Sequence, residues 1–275
     1  MFGVYSLGSK RNMIFLGFTF TVTWISWWLL SYLTQAGVID FQSTTGQLIF
    51  IIGGSGPTVG AYVAVALTKN NGSLSEFNSR VLKVKVKGIF YIFAIFTPVV
   101  LGLIGLGIVS IIDSQYILHY PLKPVYFFIT AFLVSIVLGG IEEIGWRGIL
   151  QPSLTRRLNL IVTNFIIGII WALWHLPLFY VVGAHHQGNS FFLFALAGIG
   201  YSSFLTWLYV KTTSIFLCVL FHAAINATAI IGLSVSMIET AVYCYSAVFV
   251  FLSGIIFLLL VRKYSKILTE DGMKA

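Results

Sequence analysis

The feature of this sequence that most limits its fold is a series of long apolar segments separated by short polar ones. Each segment is close to or above the roughly 20 residues that a helix needs to cross a hydrocarbon core about 30 Å thick. Eight of them lie at residues 13–34, 46–68, 88–112, 124–150, 160–182, 190–210, 212–233 and 237–261. Only 9% of the residues are charged, against about 25% in soluble proteins. The sequence predicts an all-α bundle of about eight transmembrane helices, forming a single integral membrane domain over residues 1–275.

The positions of the basic residues predict how this bundle is oriented, because cytoplasmic loops carry an excess of Lys and Arg. If the N-terminus is cytoplasmic, Lys123 is the one basic residue in an external loop, and Arg147 lies inside the fourth segment. The others are then cytoplasmic: Lys10, Arg11, Lys69, Arg80, Lys83, Lys85, Lys87, Arg156, Arg157, Lys211, Arg262, Lys263, Lys266 and Lys274. We predict that both termini are cytoplasmic. The net charge of +8 is then explained by contacts with membrane lipids, and no nucleic-acid partner is expected.

Two adjacent carboxylates lie within the fourth segment, where ionisable groups are costly unless they are paired or hydrated. Glu143 and Arg147 are four residues apart, a spacing that favours an ion pair on one helix face. Glu142 is five residues from Arg147, about 140° around the helix axis. We predict that Glu143 and Arg147 support the structure, and that Glu142 is a reactive carboxylate facing a water-filled pocket. A cluster of charges at the cytoplasmic end of the helix is the alternative.

Other polar side chains occur in two later segments. His175 lies in the fifth segment, and His222 and Asn226 lie in the seventh. The last two are four residues apart and therefore share one helix face. Each of these residues could instead join neighbouring helices by hydrogen bonds. The remaining histidines, His119, His185 and His186, fall in predicted external loops, where we expect them to be solvated.

The order of these residues resembles that of a known family. The three motifs are Glu142-Glu143-x-x-x-Arg147, then Trp171-x-x-x-His175, and then His222-x-x-x-Asn226. They resemble the CPBP family, which comprises type II CAAX prenyl endopeptidases and bacterial Abi-type or bacteriocin-processing membrane proteins. Family members often have Phe where this chain has Trp171. The motif-bearing core would cover about residues 124–233.

The resemblance implies an intramembrane endopeptidase. In that family pattern, Glu142 and His175 would activate a water molecule, and His222 and Asn226 would stabilise the oxyanion. The Glu143–Arg147 pair and Trp171 would support the site. The implied substrate is a membrane-associated peptide or protein, such as a prenylated CAAX segment, a bacteriocin precursor or a peptide pheromone. The expected location is the plasma membrane in a bacterium, or the endoplasmic reticulum in a eukaryote.

The sequence leaves the role of metal open. Glu142, His175 and His222 could together bind a catalytic zinc ion, but the usual His-Glu-x-x-His pattern of zinc proteases is absent. We favour hydrolysis that depends on glutamate, with zinc as the alternative and no other cofactor expected.

Two further functions compete with the peptidase. One is a non-catalytic immunity or scaffold protein with the same fold. The other is a proton-coupled transporter, because buried ionisable groups also form proton relays. The Gly-rich run at residues 53–57 could be the broken helix of a transporter, but no matching interruption occurs in the second half of the chain. We therefore predict a kink whose polar groups are satisfied by neighbouring helices.

Overall fold

The computed structural model describes residues 10–68, 73–112, 122–233 and 240–271, and the side chains of all of these except 240–243 and 262–271. Within these ranges the chain forms helices and no strand. His119, Lys69 and Lys274 lie outside the described residues. The main helices are α1 (Lys10–Gln35), α2 (Thr44–Gly54), α3 (Gly56–Leu67), α4 (Leu74–Val81), α5 (Gly88–Ile112), α6 (Phe127–Leu138), α7 (Leu160–His175), α8 (Phe191–Thr212), α9 (Ile215–Ile230) and α10 (Thr240–Asp271).

Seven helical segments of the described chain are long and apolar enough to cross a membrane: Lys10–Gln35, Thr44–Leu67, Gly88–Ile112, Phe127–Thr155, Leu160–Tyr180, Phe191–Thr212 and Cys244–Val261. The remaining predicted span corresponds to α9, which has 16 residues and is about 24 Å long. Hydrogen bonds hold its two ends at opposite ends of the bundle. The Ser214 hydroxyl donates to the Lys83 carbonyl at 2.6 Å, and the Lys123 amide donates to the Ile231 carbonyl at 3.0 Å. The predicted all-α, multi-pass membrane fold is confirmed.

Basic residues are divided unevenly between the two ends of the bundle. One end, which we call the basic end, contains the start of α1, α4 with the loop that follows it, and the turn after residue 155. The other end, which we call the Lys123 end, contains loops 36–43, 122–126, 181–190 and 231–233. At this end Val182 N donates to Thr34 Oγ1 at 3.2 Å. Among the described residues, Lys123 is the only Lys or Arg at its end. The assignment of the basic end to the cytoplasm stays a prediction.

The Gly-rich run breaks the second span into α2 and α3 at Ser55. Hydroxyl groups of α1 bond the carbonyls beside the break: Thr23 Oγ1 donates to Gly53 O at 2.7 Å, and Thr19 Oγ1 donates to Gly56 O at 3.3 Å. A β-carbon at Gly56 would overlap Thr23 Oγ1. The two helices therefore approach closely only because glycine is present here. The prediction of a kink satisfied by a neighbouring helix is confirmed.

The fourth span is not the continuous helix from which the side-chain angles were predicted. After α6 it continues as a 3-10 turn (Gly140–Glu142), one α-helical turn (Glu143–Gly145), a π-helical turn (Trp146–Leu150) and a last α-helical turn (Gln151–Thr155). A β-carbon at Gly140 would lie 2.7 Å from the Val219 carbonyl oxygen of α9. Close packing against α9 therefore requires glycine where α6 ends.

The π-helical turn is braced from the basic end of the bundle. The sequence predicts that Arg80, like the other cytoplasmic basic residues, contacts membrane lipids, but its side chain points inward. Its Nη1 donates to the Gly148 carbonyl at 3.2 Å and to the Tyr209 hydroxyl at 2.8 Å. Phe77, also from α4, is 2% exposed, and a β-carbon at Gly148 would lie 2.9 Å from its ring. The short helix α4 thus fixes the segment that carries Arg147.

Candidate active site

The candidate site lies in a cavity of about 440 Å³. Its walls are mostly apolar and come from α6, α8, α9 and α10, with α1 and α2 closing one side. All of the residues predicted from the three motifs line this one cavity: Glu142, Glu143, Arg147, Trp171, His175, His222 and Asn226. Three sequence-distant spans therefore meet around one space that a substrate could enter.

Glu143 connects two of these spans. Its Oε2 is 2.8 Å from Arg147 Nη1, so the predicted ion pair is present. Its Oε1 is 2.7 Å from His222 Nδ1. All three side chains are buried, and Glu143 is only 1% exposed. Arg147 also donates through Nη2 to the Ser202 hydroxyl of α8 at 2.8 Å. The carboxylate therefore holds one imidazole while the arginine fixes the carboxylate.

Glu142 forms no ion pair with Arg147, as predicted, and the helix around it is irregular. Among the described residues, neither of the two ion pairs involves Glu142. Its Oε2 accepts a hydrogen bond of 3.1 Å from the Trp171 indole nitrogen. The carboxylate is 6% exposed and borders the cavity. Glu142 is thus a buried acid that borders the cavity and forms no ion pair with another described residue.

His175 is oriented by its own helix and by tryptophan rings. Its Nδ1 is 2.9 Å from the Trp171 carbonyl oxygen. A carbonyl can only accept, so Nδ1 carries the proton and Nε2 keeps a free lone pair. The ring centroid lies 4.2 Å from that of Trp171 and 4.4 Å from that of Trp174. Trp174 is itself fixed, since its Nε1 donates to Thr23 Oγ1 at 2.7 Å. Trp171 therefore contacts both the carboxylate of Glu142 and the ring of His175.

The α9 side of the cavity carries two potential hydrogen-bond donors. Because His222 uses Nδ1 to bond Glu143, Nε2 is its remaining ring nitrogen. Asn226 lies one turn further along α9, and its amide takes no hydrogen bond from the described residues. A β-carbon at Gly139 would overlap that amide nitrogen. Glycine at the end of α6 therefore leaves room for Asn226 to line the cavity.

The loop at residues 181–190 corrects one expectation from the sequence. His185 and His186 were predicted to be solvated, and His185 is indeed exposed. His186 is half-buried, and its ring centroid lies 5.7 Å from that of His175. Burial and, secondarily, His185 lower the pKa of His186 to about 3. Partial burial and the charge of Lys123 lower the pKa of His185. Both rings line the cavity.

Several residues that shape the site carried no recognisable signal in the sequence. Ser202 fixes Arg147, and Trp27 packs at 4.7 Å from Trp174. A serine or a tryptophan inside an apolar span is too common to single out. Neither residue belongs to the three motifs. Their contacts with Arg147 and Trp174 are seen only when the helices are packed together.

The donor set fits a three-ligand zinc ion poorly. Among residues 10–68, 73–112, 122–233 and 240–271, no group of three His, Cys, Asp or Glu side chains is arranged to hold a metal ion. Glu142, His175 and His222 line the same cavity, and one oxygen of the Glu142 carboxylate already accepts from the Trp171 indole N–H.

Comparisons with known proteins agree with the geometry. The family model described as "Type II CAAX prenyl endopeptidase Rce1-like" matches residues 123–228. The chain is also 31% identical over 228 residues to a protein of Methanococcus maripaludis named "CAAX prenyl protease 2". That alignment covers 76% of this chain and 80% of the relative.

Proposed function

This chain belongs to the Rce1-like family of type II CAAX prenyl endopeptidases, and we propose that it hydrolyses a peptide bond of a membrane-associated substrate with water activated by Glu142 and His175. Family membership supports an intramembrane endopeptidase. One observation carries the assignment of the two residues: Trp171 donates to Glu142 and accepts from His175. Both groups are therefore held towards one cavity.

The two sides of the cavity have different roles in the hydrolysis, and the side that carries Glu142 and His175 activates the water. Glu142 accepts a proton from water while the water oxygen attacks the scissile carbonyl carbon. The lone pair of His175 Nε2 accepts a hydrogen bond from the same water and orients it. When the carbon–nitrogen bond breaks, the proton taken by Glu142 passes to the leaving amine. Each step balances without a further reactant.

The opposite side of the cavity stabilises the negative charge that develops on the carbonyl oxygen. Asn226 offers an amide N–H that is not used by described residues. His222, protonated at both nitrogens, would give Nδ1–H to Glu143 and Nε2–H to the oxyanion. Preorganised donors of this kind contribute about 10²–10³ in kcat. The Glu143–Arg147 pair acts by positioning His222.

The apolar walls favour a substrate with a hydrocarbon chain. Val134 and Leu138 of α6, Ile225 of α9 and Val250 of α10 contribute to the cavity. Burial of each CH₂ group is favourable by about 0.8 kcal/mol, so an isoprenoid chain beside the scissile bond would contribute strongly to binding. We propose a lipid-modified peptide, with a prenylated CAAX segment as the first candidate. Bacteriocin or pheromone precursors remain as alternatives to be tried with the same assay.

The test compares purified wild type with Glu142→Gln on a fluorogenic peptide that ends in a farnesylated CAAX sequence. We expect kcat to fall by about 10²–10⁴, the usual contribution of a general base. Glu76→Gln is the matched control, because Glu76 lies in the first turn of α4, away from the cavity. Wild-type turnover by Glu142→Gln, with folding verified by size-exclusion chromatography, would contradict the assignment. The unprenylated peptide tests the substrate class and should be cleaved more slowly.

Zinc held by Glu142, His175 and His222 is the alternative to metal-free hydrolysis, and it would supply a polarised water. The described side chains do not form a three-ligand group. We therefore expect extended dialysis against a chelator to leave turnover unchanged. Loss of activity that returns on adding zinc would favour the metal.

A further inference from the structure

The end of the cavity next to His175 carries hydrogen-bonding side chains that have no role in the proposed hydrolysis. His185 and His186 line it, and no hydrogen bond links either ring to another described residue. His186 is held in place by aromatic contacts, with its ring centroid 5.2 Å from those of both Phe179 and Phe194. A histidine that is fixed, half-buried and unpaired beside a catalytic cavity has a ring N–H ready for a ligand.

Lys123 adds a positive charge to this end. Its amide donates to the Ile231 carbonyl at 3.0 Å, which places it next to the cavity-lining end of α9. It is close enough to His185 for its charge to act on that ring. Asp40 is the one acid at the Lys123 end among the described residues, and its Oδ1 accepts from the Gln42 amide at 2.6 Å. Apart from Asp40, this end offers histidine and lysine donors, which favour an anion.

We infer that His186 and Lys123 bind the C-terminal carboxylate of the substrate. This inference rests on the proposed function, because cleavage within a CAAX segment leaves a short peptide with a free carboxylate beyond the scissile bond. A tripeptide extends to about 10 Å. The ring centroids of His175 and His186 are 5.7 Å apart, so atoms that are hydrogen-bonded to the two rings at about 3 Å can lie up to about 12 Å apart. A leaving tripeptide is therefore short enough to have one end at the catalytic histidine and its carboxylate at His186.

Binding measurements separate this inference from the peptidase assignment. The full-length Glu142→Gln variant is titrated with a fluorescent farnesylated CAAX peptide, either with a free C-terminal carboxylate or with a C-terminal amide. Detergent micelles without phospholipid remove lipid head groups as competing anions. We expect the acid to bind about 10- to 100-fold more tightly than the amide, as for a hydrogen-bonded ionised group.

Substitutions then show which residues cause the tighter binding of the acid. His186→Phe retains an aromatic ring in the same contacts but loses the N–H, and should reduce the acid-to-amide preference at least fivefold. His186→Gln restores a donor and should recover part of it. Lys123→Gln should also reduce the preference, whereas Lys211→Gln at the basic end is the matched control.

The outcomes distinguish the two proposals. Equal affinity for acid and amide in the parent variant, or an unchanged preference in His186→Phe, overturns the carboxylate site even if wild type cleaves both peptides. A clear preference for the acid, combined with no cleavage by wild type, supports the carboxylate site and overturns the proposed function.

Discussion

The ion pair between Glu143 and Arg147 offers the sharpest test of how the site is held. The two side chains are 1% and 2% exposed and lie 2.8 Å apart. Removing one member of a buried pair leaves the other charge uncompensated and costs about 3–5 kcal/mol. Glu143→Gln changes the charge with almost no change in volume. We therefore expect it to lower the free energy of unfolding by about that amount.

A second substitution separates two effects of Glu143→Gln: the cost of burying an unpaired charge, and the loss of the carboxylate that positions His222. Arg147→Met in the Glu143→Gln background removes the orphaned guanidinium and fills its space with an apolar chain. Replacing both members of a buried pair is often neutral for stability. The double variant should therefore regain most of the lost stability. Its peptidase activity should stay low, because His222 still lacks the carboxylate that orients it.

The assay is equilibrium unfolding in mixed micelles, followed by tryptophan fluorescence, with peptide cleavage measured on the same preparations. Glu76→Gln controls for loss of a carboxylate at an exposed position. The account of the site would be wrong if Glu143→Gln were as stable as wild type. It would also be wrong if the double variant were no more stable than the single one, or if it recovered activity together with stability.

Two further predictions concern groups that border the cavity. Gly139→Ala should lower kcat about 100-fold, as loss of an oxyanion donor does, because the added methyl overlaps the Asn226 amide. Gly107→Ala, whose methyl would meet no atom within 4 Å, is its control and should match wild type. Trp171→Phe keeps the ring but loses the N–H to Glu142, and kcat/KM should fall about tenfold. Unchanged kinetics in Gly139→Ala or Trp171→Phe would refute the corresponding contact.

The sequence was sufficient to predict an all-α, multi-pass membrane fold because two independent patterns agree. Long apolar segments give the number of crossings, and the distribution of basic residues requires that number to be even. The structure accordingly places Lys123 alone among described basic residues at its end. Length alone was ambiguous only for α9, which has 16 residues and is recognisable as a crossing by the positions of its two ends.

The site was predictable where it depends on polar residues in apolar surroundings. Glu142, Glu143, His175 and His222 are conspicuous because charge and hydrogen-bonding groups are expensive at that depth. The details of the fourth span were not predictable in the same way. A regular helix was assumed, whereas the backbone has 3-10 geometry from Gly140, where α9 packs closely, and π geometry from Trp146.

Contacts made by loop residues were also not predictable from the sequence. His186 looked like a solvated residue because it lies between two spans, in a stretch rich in Gly, Asn and Gln. Its position over His175 depends on how loop 181–190 folds back, with Gly183 N bonded to Gln187 Oε1 at 2.8 Å. Arg80 was similarly misjudged, since its partners are the backbone of Gly148 and the hydroxyl of Tyr209. The partners of Arg80 are 68 and 129 residues away in the sequence, so no local pattern marks them.

The dual pairing of Glu143 also bears on how the protein is made. Its arginine partner is four residues away in the same span, while its histidine partner is 79 residues further along the chain. A nascent fourth span can thus neutralise its own acid as it leaves the translocon, before the ribosome has reached His222. Glu142 gains the Trp171 indole only when the following span arrives, 29 residues later. The Glu143–Arg147 pair can therefore form first, and the carboxylate that we propose to be reactive is enclosed afterwards.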